Sequence, residues 1–136
     1  ESKNHIWKTD TLCLSFMSEH PQSYPYLKER RWAVDSMKVI EQRYAHYPIH
    51  YIDKEHLDLS PDALPIQDGD ILALVTTIDG LDVTHLGFAV WRNDTLHLMH
   101  ASMKQGKVII DEQSLYDYLR NRNSCPGIRV VRLANN

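Results

Sequence analysis

Polar and apolar positions alternate most regularly between residues 83 and 102 of the chain. Positions 85, 87, 89 and 91 share one face of a predicted strand, and positions 86, 88, 90 and 92 share the other. The pair Asn93-Asp94 is typical of a tight turn, because both residues tolerate positive φ, and residues 95–101 supply the return strand. The pattern therefore predicts an antiparallel hairpin.

The predicted turn fixes how the two strands of the hairpin pair. Gly87 then lies opposite His100, and His85 lies opposite Ser102. The two histidines share one face, on a diagonal whose Cα atoms are about 7–8 Å apart. A slip of one residue would put them on opposite faces, so the prediction that their rings meet is a sharp one.

A helical period precedes the hairpin. Apolar residues recur at offsets of four, seven and eleven after Ala33, ending at Tyr44, and charged residues occupy most of the remaining positions. Pro25 suits a first helical turn and Pro48 ends the pattern. The sequence thus predicts an amphipathic helix of about five turns, with positions 33, 37, 40 and 44 facing inward.

The remaining strands are short and closely connected. Residues 71–75 form an uninterrupted apolar run that suits a central strand covered on both faces. Shorter strands are predicted at 49–52, at 107–110 and, as the last one, at 128–133, and Asp111 is placed to cap a helix from 112 to about 122. Hairpin-length connections favour a mostly antiparallel sheet, so the predicted fold class is α+β in a single domain.

Composition narrows the function classes. The chain has 136 residues, 43% of them hydrophobic, and a net charge of -3, which gives no electrostatic reason to expect nucleic acid or an anionic membrane as a partner. No apolar run reaches the length of a transmembrane helix or a signal-peptide core. Two cysteines, Cys13 and Cys125, can form at most one disulfide, and the sequence leaves their pairing open.

The two histidines of the hairpin carry the candidate chemistry. His85 with His100 fits a general base and its orienting partner, as used to activate a thiol or hydroxyl nucleophile, although two polar positions on a solvent-facing strand would fit equally. Asp82 and Thr84 flank His85 at the loop mouth, where they either hydrogen-bond a substrate or shape the loop. A zinc site made of His85, His100 and Asp82 is a less favoured alternative. Cys13 has apolar neighbours, which favour a small buried residue over a nucleophile.

Several blocks of the chain resemble one known family. They are residues 80–89 (GLDVTHLGFA), 96–102 (LHLMHAS), 16–21 (FMSEHP), 51–54 (YIDK), 68–71 (DGDI) and 127–130 (GIRV). Together these blocks resemble the DUF1460 group of bacterial N-acetylmuramoyl-L-alanine amidase-like proteins, relatives of the NlpC/P60 cell-wall cysteine hydrolases. The likeness covers most of the chain.

The resemblance implies a papain-like α+β core with a Cys–His–polar triad, in which His85 matches the base and His100 the orienting residue. It implies peptidoglycan as substrate, no metal or organic cofactor, and a location in the bacterial cell envelope. The family's nucleophile follows an Asp-Cys type motif at a helix start, which this chain lacks. Residues 1–136 are therefore expected to be the C-terminal portion of one such domain, with the nucleophile upstream. The rival expectation is a binding or structural fragment without turnover.

Overall fold

The computed structural model describes residues 6–134, which divide into two compact units. One unit contains residues 6–8 and 50–134, and the other contains residues 9–49. The whole hairpin, with His85 and His100, belongs to the first unit. The two units are described separately below.

A seven-stranded sheet forms the framework of the first unit, and its strand order is β1-β2-β7-β3-β4-β5-β6. Two of the strands, β1 and β2, begin or end in residues of the other unit. Each pair of strands whose register is described is antiparallel, which confirms the α+β class with a mostly antiparallel sheet. The strands are β1 (Trp7–Leu12), β2 (Tyr47–Asp53), β3 (Ile71–Val75), β4 (Val83–Arg92), β5 (Thr95–Ser102), β6 (Lys107–Ile110) and β7 (Gly127–Val131).

Two strands in the middle of this sheet test the sequence predictions. The apolar run of β3 lies between β7 and β4, and four of its five side chains are buried, as predicted. The last strand, β7, ends two residues earlier than predicted and lies between β2 and β3. The order of the strands along the chain does not reveal that β7 lies inside the sheet, because its partners β2 and β3 are distant in sequence.

The hairpin of β4 and β5 has the predicted register. Arg92 pairs with Thr95 and Phe88 pairs with Met99, while Asn93 and Asp94 have φ values of 48° and 61°, as a type I′ turn requires. Burial shows which face is inside: Ala89 and Leu98 are completely buried, whereas Phe88 is 45% exposed. The face with the histidines is thus the core face, so the alternative of a solvent-facing strand is wrong.

A short helix packs against the histidine side of the sheet. This helix, α3 (Leu115–Arg120), buries Leu115 and Leu119 completely. Its N-cap is Ser114, whose hydroxyl accepts a hydrogen bond from the Asp117 N–H. The prediction that Asp111 caps this helix is wrong, because the chain makes a further turn before the helix starts.

The second unit contains two helices, α1 (Phe16–Glu19) and α2 (Arg31–Tyr44). The helix predicted to start near Pro25 begins only at Arg31, since residues 25–29 form turns. Its buried positions are Ala33 and Glu41, while the predicted inward residues Ile40 and Tyr44 are exposed. The Glu41 carboxylate accepts hydrogen bonds from the first-turn amides of α1, which explains a buried charge that the hydrophobic pattern cannot predict.

Candidate active site

The two histidines of the hairpin are in direct hydrogen-bond contact. His85 Nε2 lies 2.8 Å from His100 Nδ1, and the rings stand edge to face with centroids 5.0 Å apart. Gly87 permits the close approach of β4 and β5 beside the pair: a Cβ there would lie 2.6 Å from Leu98 Cδ1 and 2.7 Å from the Met99 carbonyl oxygen. The hairpin register therefore brings together the residues that the sequence predicted as base and orienting partner.

A carboxylate extends the pair to three groups. Asp111, directly after β6, places Oδ2 3.3 Å from His100 Nε2. Its other oxygen, Oδ1, accepts from the Gln113 N–H at 3.0 Å. The main chain of Asp111 is also fixed, because its N–H donates to the Leu98 carbonyl and its carbonyl accepts from His97 Nδ1 at 2.9 Å. Asp111 is thus held in place from both sides of β5.

The order of these contacts determines the protonation of both rings. An ionised carboxylate only accepts hydrogen bonds, so Nε2 of His100 carries a proton and its Nδ1 is an acceptor. His85 then donates through Nε2 to that acceptor. The remaining nitrogen of His85, Nδ1, keeps its lone pair and is the basic atom of the arrangement.

The surroundings keep His85 neutral near neutral pH. Burial lowers the pKa of His85 below its ordinary value of 6.5, and electrostatic interactions with His100 and Arg122 lower it further. A neutral imidazole can take a proton from a thiol or from water. The site is therefore prepared for general-base chemistry.

An open groove of about 650 Å³ lies beside the two histidines. His100 is 7% exposed, so it forms part of the groove floor, and Tyr118 contacts it with a ring-centroid distance of 5.7 Å. The wall is partly polar and is formed by Thr84, His85, His100, Ala101, Ser102, Met103, Lys104, Gln105, Ile109, Asp111, Glu112, Gln113, Tyr118 and Arg122. A substrate in this groove would have direct access to His85.

The two predicted substrate-binding residues occupy different places. Thr84 lines the groove next to His85. Asp82 is exposed in the loop before β4 and does not contribute to the groove wall as described for residues 6–134. Binding of substrate by either side chain stays a prediction.

The two cysteines, Cys13 and Cys125, belong to different units. Both are free thiols, so the open question of their pairing is answered against a disulfide. Cys125 is buried and donates to the Gly127 carbonyl, and burial raises the pKa of its thiol, which disfavours the reactive thiolate. Cys13 lies in the other unit and is exposed, so its interpretation as a buried core residue is wrong. It follows the end of β1, and its neighbours Leu12 and Leu14 are half-buried.

The zinc alternative does not fit the geometry. His85 and His100 direct their nitrogens at each other and share a proton at 2.8 Å, which leaves no room for a metal ion between them. Among residues 6–134, no cluster of three or more His, Cys, Asp or Glu side chains is suited to hold a metal ion. The proposed set with Asp82 does not assemble.

The sequence did not identify three residues that extend the contacts of His100, which are Asp111, Tyr118 and Arg122. Asp111 is one residue past a predicted strand, and its pairing with His100 depends on the register between β5 and β6, in which His100 pairs with Ile109. Extending the hairpin argument by one strand would have found it. Tyr118 and Arg122 come from the helical region, whose approach to the sheet no local pattern encodes.

Comparison with known proteins places the chain in a family. Residues 3–128 match the sequence model of the AmiA-like family, described as N-acetylmuramoyl-L-alanine amidase-like. No curated protein matches the chain.

In the part that the structure describes, no helix is long and apolar enough to cross a membrane.

Solved structures support the same assignment. An N-acetylmuramoyl-L-alanine amidase from Bacteroides uniformis is 38% identical with a TM-score of 0.86, and the match covers 98% of this chain and 57% of that one. A Bacteroides fragilis protein provisionally named a xylanase is 42% identical with a TM-score of 0.82, over 93% of this chain and 54% of that one. A Legionella pneumophila protein assigned to DUF1460 is 21% identical with a TM-score of 0.52, over 93% and 52%, and shares the fold.

The chain thus spans little more than half the length of these solved structures. The family match, by contrast, extends over nearly all of its own residues and includes both histidines of the hairpin. On these grounds, the chain belongs to the AmiA-like family of N-acetylmuramoyl-L-alanine amidase-like proteins.

Proposed function

We propose that the chain supplies the general base of a peptidoglycan amidase of the cysteine-hydrolase type. The observation that carries the proposal is the chain of contacts from Asp111 through His100 to His85, which ends at a free basic nitrogen beside an open groove. Membership in an amidase-like family and the likeness to a bacterial N-acetylmuramoyl-L-alanine amidase favour an amide as the bond that is cut. The substrate is cell-wall glycopeptide, and the place of action is the bacterial cell envelope.

The nucleophile is a thiol from polypeptide outside these 136 residues, in a papain-like domain related to NlpC/P60 proteins. Two facts support this proposal: Cys125 is buried with a raised pKa, and the matches to the solved relatives cover only 54% and 57% of their lengths. The nucleophile belongs to the part of such a longer protein that precedes β1. The chain alone would then hold the base and its orienting groups without turnover.

In the first half of the reaction, Nδ1 of His85 takes the thiol proton, and the thiolate attacks the carbonyl carbon of the amide between the muramoyl lactyl group and L-alanine. The C–N bond breaks as the protonated His85 gives its proton to the leaving amine, and a thioester remains. His85 then removes a proton from water, the resulting hydroxide equivalent displaces the sulfur, and the thiolate recovers the proton. His100 stabilises the imidazolium by fixing the ring, and Asp111 fixes His100.

Cleavage of a glycosidic bond is the second candidate, because one similar protein carries a xylanase name. Such enzymes generally need two carboxyl groups on opposite sides of the scissile bond. The groove as described has two carboxylates, Asp111 and Glu112, and both oxygens of Asp111 already accept hydrogen bonds. The arrangement therefore favours the amidase.

The direct test is digestion of purified muropeptides by the intact protein, with products identified by mass spectrometry. We expect release of the stem peptide with a free L-alanine amine, and a loss of about 10³-fold or more for His85→Ala. His46→Asn is a matched control, since His46 is exposed in the other unit and asparagine tolerates its positive φ of 64°.

Equal product release by the wild type and His85→Ala would remove His85 from the mechanism. Muropeptide binding without turnover would support the rival interpretation of a binding protein. Loss of activity after thiol alkylation is expected, whereas loss after chelation would favour a metal hydrolase. Release of reducing sugar from xylan would favour the glycosidase.

A further inference from the structure

Arg122 is a positive charge held rigidly at the edge of the groove. Its Nε donates to the Tyr118 carbonyl at 3.2 Å, and its Cζ lies 4.2 Å from the centroid of the Tyr118 ring. Its main chain is fixed as well, because the N–H donates to the Leu119 carbonyl and the carbonyl accepts from Lys54 Nζ at 2.9 Å. The exposed guanidinium is therefore held against the Tyr118 ring at the edge of the groove.

Arg122 forms no ion pair in the part of the chain that the structure describes. Throughout residues 6–134, no carboxylate lies within ion-pair distance of it, whereas Arg120 pairs with Asp117 and Arg132 pairs with Asp70. Stacking on Tyr118 and the bond through Nε leave the two terminal nitrogens, Nη1 and Nη2, as a fork of donors. Such a fork matches the two oxygens of a carboxylate.

Arg122 is also close to the reacting centre. Its charge contributes to the lowered pKa of His85, so the two groups interact electrostatically. The Tyr118 ring contacts both the Arg122 guanidinium and His100, the hydrogen-bond partner of His85. Tyr118 of α3 therefore holds the guanidinium at the same groove that His85 lines.

We propose that Arg122 binds a carboxylate of the peptide stem and so orients the scissile amide toward His85. The inference rests on the proposed amidase function and adds to it the feature by which substrates are chosen. In a muropeptide, the alanine released by the reaction is followed by an acidic residue, whose free carboxylate is the negative charge nearest the bond. A neutral carboxamide at that position would lose the ionic part of the contact.

The test uses the intact protein and two synthetic substrates. One is N-acetylmuramoyl-L-alanyl-D-glutamate, and the other is the same compound with both glutamyl carboxylates converted to carboxamides. We expect Arg122→Gln to raise KM for the acidic substrate about 10- to 100-fold, with kcat changed only a few-fold, because a charge-assisted bidentate contact is lost. For the carboxamide, KM of the wild type should already be raised by the same factor, and Arg122→Gln should raise it little further. Arg122→Lys should recover part of the preference.

The matched control is Arg120→Gln, which removes a positive charge two residues away that is paired with Asp117 and lies outside the groove. It should leave the preference for the acidic substrate unchanged. Circular dichroism of each variant separates misfolding from loss of binding. An equal loss on both substrates, or a wild type that does not distinguish them, would overturn the inference and leave the amidase intact.

A binding measurement separates failure of the inference from failure of the proposed function. Titration calorimetry of both compounds against the His85→Ala protein requires no chemistry. Suppose that His85→Ala binds the acidic compound more tightly than the carboxamide, and that His85→Ala/Arg122→Gln binds both equally. This result would support the carboxylate site, even if the wild type cleaves neither compound. Equal affinity for both compounds would refute it.

Discussion

Replacing Asp111 by asparagine should invert the protonation of the whole site. The Gln113 N–H needs an acceptor at the position of Oδ1, so the asparagine oxygen remains there and the amide nitrogen takes the place of Oδ2, facing His100 Nε2. An amide nitrogen donates, so Nε2 of His100 becomes an acceptor and the proton of that ring moves to Nδ1. His100 then donates to Nε2 of His85, and the proton of His85 moves to Nδ1.

The consequence is a base whose reactive nitrogen is already protonated. Each hydrogen bond of the relay is retained with its direction reversed, so the free energy of unfolding should change by less than about 1 kcal/mol. Activity should fall far more, because the reactive tautomer of His85 becomes a minor species; a comparable inversion in serine proteases costs about 10⁴-fold, and we expect about 10²- to 10⁴-fold in kcat here.

The assay is the initial rate of muropeptide hydrolysis by the intact protein, together with ¹⁵N NMR of the two rings to read their tautomers. Asp117→Asn is the matched control, since Asp117 pairs with Arg120 at the surface and is not part of the groove wall. Retention of kcat within about threefold, with Nδ1 of His85 shown to be protonated, would refute the tautomer argument.

Three further predictions follow from the same structure. With thiols blocked, NMR titration should place the pKa of His85 below 6.5, and Arg122→Gln should raise that pKa, because one positive charge that lowers it is removed. Since the unfolded state binds the proton more tightly, the free energy of unfolding should rise with pH in the window below 6.5. A measured pKa above 6.5 would contradict this. Gly87→Ala should destabilise the protein by about 1–3 kcal/mol in thermal unfolding, because the added Cβ collides with Leu98 and the Met99 carbonyl; an unchanged Tm would contradict the close approach. Asp70→Asn should lower the stability at pH 7 by about 2 kcal/mol, because buried Asp70 accepts hydrogen bonds from Arg132 at 2.6 and 2.7 Å and from the Gln67 N–H. The hydrogen bonding with Arg132 lowers the pKa of Asp70, so the stability difference between wild type and variant should shrink as the pH falls below the ordinary value of 3.8. A stability difference that stays constant with pH would contradict this.

The predictable part of the site was encoded locally. Alternation along β4 and the turn at Asn93-Asp94 determine which residues pair, and the observed register follows them through Arg92 and Thr95. Two residues fifteen positions apart could therefore be placed in contact from the sequence alone. The same reasoning could not tell which face was buried, because both faces of β4 carry apolar residues and the outer one leaves Leu86 and Phe88 exposed.

The unpredicted part depends on contacts between segments that are distant or irregular. Glu41 is buried in α2 because it accepts from the amides of Met17 and Ser18, and a hydrophobic period assigns such a position to the surface. Asp111 looked like a helix cap because it precedes a helical stretch, but Ser114 takes that role. In both cases a carboxylate was misplaced because its partner lies outside the local pattern.

The burial of the histidines itself explains which atom of the site is reactive. A polar ring on the core face of a sheet is costly unless its nitrogens have partners. His100 meets this requirement at both nitrogens, through His85 and Asp111, and is therefore held in one orientation. His85 lies at the groove end of the same chain of contacts, and among the described residues no partner bonds to its Nδ1. The rule that buried polar groups must be satisfied thus accounts for every nitrogen of the pair except Nδ1 of His85, and that nitrogen is the one the proposed reaction uses.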